Sequence, residues 1–130
     1  MNQEKMVIST SAAPAAIGPY SQAIVAGSLV FCSGQIPLSP ETGQLVGGGD
    51  VAAQTEQVMA NLQAVLTAAG CGLQNVVRCT IYLASMGDFA TVNAIYGRCF
   101  PAAPPARTTI QAAGLPRGAL VEIDAIAVRS

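Results

Sequence analysis

Histidine and tryptophan are absent from these 130 residues, and lysine occurs once, at Lys5. The missing histidine excludes Ser-His and Cys-His nucleophilic relays and every histidine-ligated metal. A single lysine near one end is poorly placed for Schiff-base chemistry. Charge is scarce as well: six basic and seven acidic residues give a net charge of −1, and only 10% of the chain is charged, against roughly a quarter in ordinary soluble domains. No basic run is available to bind a phosphate backbone, which argues against a nucleic-acid partner. No segment approaches the ~20 apolar residues of a membrane span, so no membrane partner is expected. The start, Met1-Asn2-Gln3-Glu4-Lys5-Met6, lacks a basic stretch followed by a long apolar one, and the expected setting is the cytoplasm. Catalysis in such a chain must use an anion clamp, a carboxylate, hydroxyls and water.

What is present is apolar. Hydrophobic residues make up 52% of the chain, more apolar surface than a monomer of this size would normally hide, which favours a buried oligomeric interface. Residues 1–130 are expected to form one domain with a real core. Cys32, Cys71, Cys79 and Cys99 form no C-x-x-C pair and lie inside apolar segments. Buried free thiols are expected, with no bound metal.

Two helices are predicted. From Val51 to Ala69 the apolar positions Val51, Val58, Met59, Leu62, Val65, Leu66 and Ala69 fall on one face, with Gln54, Glu56, Gln57, Asn61 and Gln63 on the other. Asp50 is placed to cap its start and Gly70 its end. The second runs from about Met86 to Phe100, with Ser85-x-x-Asp88 as a capping box and Pro101 as its stop. Strands are predicted at Ala23–Val25, Leu29–Ser33, Asn75–Leu83, Ala106–Gln111 and Leu120–Val128, with a hairpin connection at Ala26-Gly27-Ser28 and a loop over Ser39–Gly49. The order β-β-α-β-α-β-β is an α+β arrangement: a mixed sheet with two helices on one face. Alternating apolar residues on both sides of the last strand imply that the helix-free face is covered too, by another subunit.

Arg107 is the most informative residue. Pro104 and Pro105 stiffen the approach to it, and a β-branched run follows, so it enters a strand held in one direction. A planar guanidinium on a rigid element suits bidentate capture of a carboxylate. Arg107 and Thr109 share a strand face, as do Glu122 and Asp124. If these two strands are neighbours, an arginine and a carboxylate meet in one pocket, either as a structural Arg107–Glu122 ion pair or as a working site. Asp124 reads as a strand-edge or interface polar residue. Tyr20, in the turn Gly18-Pro19-Tyr20-Ser21-Gln22, packs or meets a ligand. Ser33-Gly34 ends a strand with a hydroxyl and then a bare backbone that a ligand could approach, or forms a plain turn. Asn93, near an apolar helical stripe, needs a partner. Cys32, Cys99 and Met59 read as core.

Five stretches, Ala16-Ile17-Gly18-Pro19-Tyr20-Ser21-Gln22-Ala23, Phe31-Cys32-Ser33-Gly34-Gln35-Ile36-Pro37, Phe89-Ala90-Thr91-Val92-Asn93, Pro105-Ala106-Arg107 and Val121-Glu122-Ile123-Asp124-Ala125, together resemble the Rid family of reactive-intermediate deaminases, also called the YjgF or L-PSP endoribonuclease family. The resemblance implies a chorismate-mutase-like fold and a homotrimer whose sheets form a central barrel, with ligand clefts between subunits. It also implies hydrolysis of enamine/imine intermediates, such as 2-aminoacrylate/2-iminopropanoate and 2-iminobutanoate, to 2-oxo acids and ammonia, without a cofactor. Arg107 matches the carboxylate-binding arginine; Tyr20, Ser33, Asn93 and Glu122 match other pocket positions. With Arg107 and Glu122 as the catalytic pair, Tyr20, Ser33, Gly34, Asn93 and Thr109 complete the expected substrate contacts. Thr109 stands where many members carry cysteine, so no thiol acts there, while a backbone N–H at the position can still bind the carboxylate. The alternative expectation is a non-catalytic trimer that binds a 2-oxo acid and regulates a partner. A ribonuclease role fits poorly with a chain that lacks histidine and basic patches.

Overall fold

The computed structural model describes residues 4–130; Met1, Asn2 and Gln3 of the start segment lie outside them. Six strands and two helices follow in the order β1 (Lys5–Ile8), β2 (Ala23–Ala26), β3 (Leu29–Gln35), α1 (Val51–Ala68), β4 (Val76–Leu83), α2 (Phe89–Cys99), β5 (Ala106–Gln111) and β6 (Val121–Val128). The α+β class and both helices stand as expected. β1 is not among the strands predicted from sequence: Lys5-Met6-Val7-Ile8 does not alternate in polarity, and its identity comes from antiparallel pairing with β2.

All six strands form one mixed sheet in the order β1-β2-β3-β6-β4-β5. β1, β2, β3, β6 and β4 pair antiparallel, and β5 joins β4 in parallel after the α2 crossover. The β2–β3 hairpin turns on Gly27, whose φ of 61° suits glycine. β5 is therefore an edge, and β4 separates it from β6.

One face of the sheet carries the core. Val30, Ile81, Leu83, Val121, Ile123 and Ala127 are buried there with Val58, Leu62, Val65 and Leu66 of α1. A fully buried leucine of this kind is worth roughly 1.5–3 kcal/mol. Asp50 caps α1 by accepting from Ala52 N at 3.0 Å and Ala53 N at 3.3 Å, and Gly70 follows the helix with φ 83°. At α2 the expected capping box does not form. Ser85 Oγ accepts from Gly87 N at 3.2 Å and caps a single 3-10 turn, Met86–Asp88, from which α2 continues.

Two α1 residues expected on the outer face are buried instead. Gln54 and Asn61 are each 1% exposed, because each supplies hydrogen bonds to backbone that would otherwise be orphaned. Gln54 Oε1 accepts from Leu120 N at 2.9 Å, just before β6. Asn61 Nδ2 donates to Ile36 O and Leu38 O at 3.2 and 3.0 Å, just after β3.

The opposite face has no helix. Along β6, Glu122, Asp124 and Ile126 are half-buried and Val128 is exposed. Val7, Ile24, Phe31 and Ile126 line up in register across β1, β2, β3 and β6, with Val7 59% and Phe31 42% exposed. Glu122 and Asp124 interrupt the apolar residues of β6 on this face. Among the described residues no helix is long and apolar enough to cross a membrane.

Candidate active site

The expected site residues are all present, but they gather in two places. Arg107 lies in register with Cys79 of β4, and Glu122 with Tyr82 of β4. Side chains alternate along β4, so Arg107 projects towards the helices while Glu122 projects from the open face. Their strands lie on either side of β4, about 10 Å apart at the spacing of paired strands. The expectation of neighbouring strands is thus corrected, and no Arg107–Glu122 ion pair forms within the chain. Among the described residues the salt bridge is the exposed Arg98–Glu56 contact at 3.9 Å.

The first group sits where β5 meets α2. Arg107 Nη1 donates to Asn93 Oδ1 at 2.6 Å, which supplies the partner that a polar side chain beside an apolar stripe requires. The guanidinium carbon lies 5.6 Å from the Phe89 ring centroid and 5.2 Å from that of Tyr96. A cavity of about 460 Å³ opens beside it, walled by Tyr96, Gly97, Phe100, Pro104 and Pro105. Thr109 shares the Arg107 face; its Oγ1 is buried without a hydrogen-bond partner among the described residues.

The second group surrounds Glu122. A cavity of about 400 Å³ is lined by Tyr20, Ser33, Gly34, Ile36, Pro116 and Glu122. Gly34 lies directly against the Glu122 carboxylate, and a Cβ at that position would overlap Oε2. The missing side chain therefore makes room for the acid. Burial, and secondarily the charge of Asp124, raises the Glu122 pKa above the ordinary carboxylate value. Asp124 is occupied, accepting from Thr80 N and from the Tyr82 hydroxyl, both at 3.0 Å. That places it as a strand-linking polar residue that acts on Glu122 at a distance.

Ser33 is also committed within the protein. Its hydroxyl donates to Ser21 O at 2.6 Å and its N–H to Gln22 O at 3.0 Å. These bonds tie the Tyr20 turn to β3. Gln22, 4% exposed, completes the attachment: its Oε1 accepts from Thr10 N at 2.7 Å, and Nε2 donates to Thr10 O at 3.0 Å and Pro14 O at 2.8 Å. The sequence places Gln54 and Asn61 on the outer helix face and assigns the Gln22 amide no role of its own. Their signal, an amide among apolar or turn residues, marks a need for a partner without saying which one.

All four cysteines are free, with Cys32 and Cys79 buried. Burial, then the neighbouring Cys71 and Cys79, pushes the Cys32 thiol up to about 12. A thiol so far from ionisation is no nucleophile. The chemistry on offer is thus a held guanidinium with an adjoining apolar cavity, and a proton-accepting carboxylate beside a phenol.

The chain as a whole is similar to known proteins. The model of the endoribonuclease L-PSP family matches residues 10–129. Protein DfrA of Myxococcus xanthus is 59% identical over 126 residues, which cover 95% of both chains. The 2-iminobutanoate/2-iminopropanoate deaminase of Mus musculus is 53% identical over 125 residues, covering 96% of this chain and 92% of that one. Among solved structures, the Rid-family protein YyfA of Yersinia pestis has a TM-score of 0.93 at 46% identity, covering 96% of this chain and 99% of that one. With a match that runs from Thr10 to Arg129, the chain belongs to the L-PSP, or Rid, family.

Proposed function

We propose that this protein hydrolyses short enamine/imine acids, such as 2-aminoacrylate/2-iminopropanoate and 2-iminobutanoate, to 2-oxo acids and ammonia. The site is assembled between two copies of the chain in a homotrimer. The observation that carries this reading is the separation of Arg107 from Glu122 by β4 and by the sheet itself. One chain holds a carboxylate clamp without a base and a base without a clamp. A second copy supplies the missing half, and the exposed apolar row around Phe31 gives it a surface to cover. The number three and the central barrel come from the family resemblance. The deaminase named in mouse is a relative that carries out this class of reaction.

In this reading Arg107 grips the substrate carboxylate through two parallel N–H donors, with Asn93 holding Nη1. The Thr109 N–H can add a third donor. Ala112 N bonds Leu83 O of β4, so alternation along this edge strand turns the Thr109 N–H away from β4. The enamine tautomerises to the imine, whose carbon is already electrophilic. Glu122 of the neighbouring copy accepts a proton from water as the oxygen bonds to that carbon. Glu122 passes that proton to the nitrogen as the C=N π pair moves there, giving the carbinolamine. It then takes the hydroxyl proton as the carbonyl forms and returns it to the nitrogen, and the C–N bond breaks to release ammonia. A raised pKa makes Glu122 a stronger base than an ordinary carboxylate, and such assistance is worth typically ~10²–10⁴-fold. Tyr20 and the Ser33–Gly34 segment line the base side. No metal or organic cofactor enters the scheme.

The test generates 2-aminoacrylate with a dehydratase and follows ammonia release with and without the protein. Acceleration that is lost in Arg107→Ala supports the reading. Binding of 2-oxobutanoate without acceleration would make the protein a non-catalytic 2-oxo acid binder instead.

A further inference from the structure

Arg107 is exposed at a sheet edge, yet its guanidinium is held on three sides. Asn93 Oδ1 accepts from Nη1 at 2.6 Å, and the rings of Phe89 and Tyr96 lie 5.6 and 5.2 Å from its carbon. The three partners stand at i, i+4 and i+7 on α2, the spacing that aligns side chains on one helix face. Tyr96 is itself fixed: it is 4% exposed, and the Phe100 ring lies 4.8 Å away at 49°.

The choice of partners matters. A carboxylate holding this arginine would neutralise the charge that a ligand needs and occupy its donors. An aromatic face attracts the cation through its quadrupole and takes no N–H. Of the five guanidinium donors, Asn93 accepts one and the rings leave the rest available. A long side chain already confined loses less rotamer freedom when it captures a ligand.

We propose that Phe89 and Tyr96 are positioning residues, an aromatic cradle that presets the Arg107 guanidinium for a ligand carboxylate. The inference rests on Arg107 being the carboxylate clamp. A packing role alone would be served equally by leucine, and that difference is measurable.

The experiment titrates 2-oxobutanoate into the intact protein by calorimetry, in parallel with imine-hydrolysis kinetics. Phe89→Leu should weaken binding by about two- to fivefold, the usual range for one exposed cation–π contact, with KM rising in step and kcat little changed. Phe89→Tyr should restore binding. Because Phe89 also packs against the core, a second variant carries trifluorophenylalanine at position 89, which keeps the shape and weakens the quadrupole. It should weaken binding in the same direction while the melting temperature and oligomeric state stay put. If Arg107→Ala abolishes binding but both Phe89 variants bind like the unsubstituted protein, the cradle is wrong and the clamp stands. If Arg107→Ala binds normally, both fall.

Discussion

Arg107 and Gly34 show how much a single residue decides here. Replacing Arg107 with alanine removes charge-assisted hydrogen bonds worth ~1.5–3 kcal/mol each, so a lost bidentate pair should lower kcat/KM a hundredfold or more. Lysine keeps the charge and loses the two-pronged geometry, and Arg107→Lys should recover only part of the loss. Gly34→Ala acts on the other half. Its new Cβ would collide with the Glu122 carboxylate, so kcat should fall while 2-oxobutanoate binding through Arg107 persists. Comparing ammonia-release kinetics with calorimetric titration for these variants checks both statements. The acid limb of the pH profile belongs to Glu122. Its pKa is raised by burial first and by Asp124 second, so kcat/KM should fall off, as pH drops, above the range of an ordinary carboxylate. Removing the like charge with Asp124→Asn lowers the Glu122 pKa and should move that limb to more acid pH. A limb that stays in place, or moves up, would rule out Glu122 as the titrating base.

At the scale of elements, the Tyr20 turn and the segment after β3 are the parts that place the base side, and buried amides hold both. Gln22→Met would leave the Thr10 N–H and the Thr10 and Pro14 carbonyls without their partner. Stranding a buried polar group costs about 1–3 kcal/mol, and because these bonds are partly buried the low end applies. Urea unfolding should therefore show a loss of that order, and KM should rise as the Tyr20 turn loosens. Unchanged stability would mean that water or another side chain satisfies those groups. The two α1 amides, Gln54 and Asn61, are misplaced by the sequence pattern for a physical reason. Helical periodicity sorts residues by polarity, so Gln54 and Asn61 were assigned to solvent, whereas their carbonyl and N–H partners are contributed by distant segments that periodicity does not report. The helices and the strands from β2 to β6 are legible in the sequence, because period, caps and turn chemistry are local, while Arg107, Glu122, Asn93 and Gly34 are picked out as candidates by the stretches that resemble the Rid family. Strand order is not local. Nothing in the spacing of Ala106–Gln111 and Val121–Val128 reveals that β4 lies between them, so whether Arg107 and Glu122 meet within one chain stays open in the sequence.

At the scale of the whole molecule, the low charge, the apolar row on the open sheet face and the divided site ask for the same remedy, a second copy. Light scattering at micromolar concentration should give about three times the chain mass of 13.2 kDa. A stable monomer would leave Val7, Phe31 and Val128 facing water, and Arg107 with no base to work beside. The central claim is that Arg107 and Glu122 act from different copies of the chain. Its most direct test mixes Arg107→Ala and Glu122→Gln subunits after joint unfolding and refolding. Each variant alone has every site broken. In a random equal mixture, about a quarter of the sites pair an intact Arg107 from one copy with an intact Glu122 from its neighbour. The account predicts that imine hydrolysis returns to roughly that fraction of the unsubstituted rate. Mixed oligomers that form but stay as inactive as their parents would contradict it.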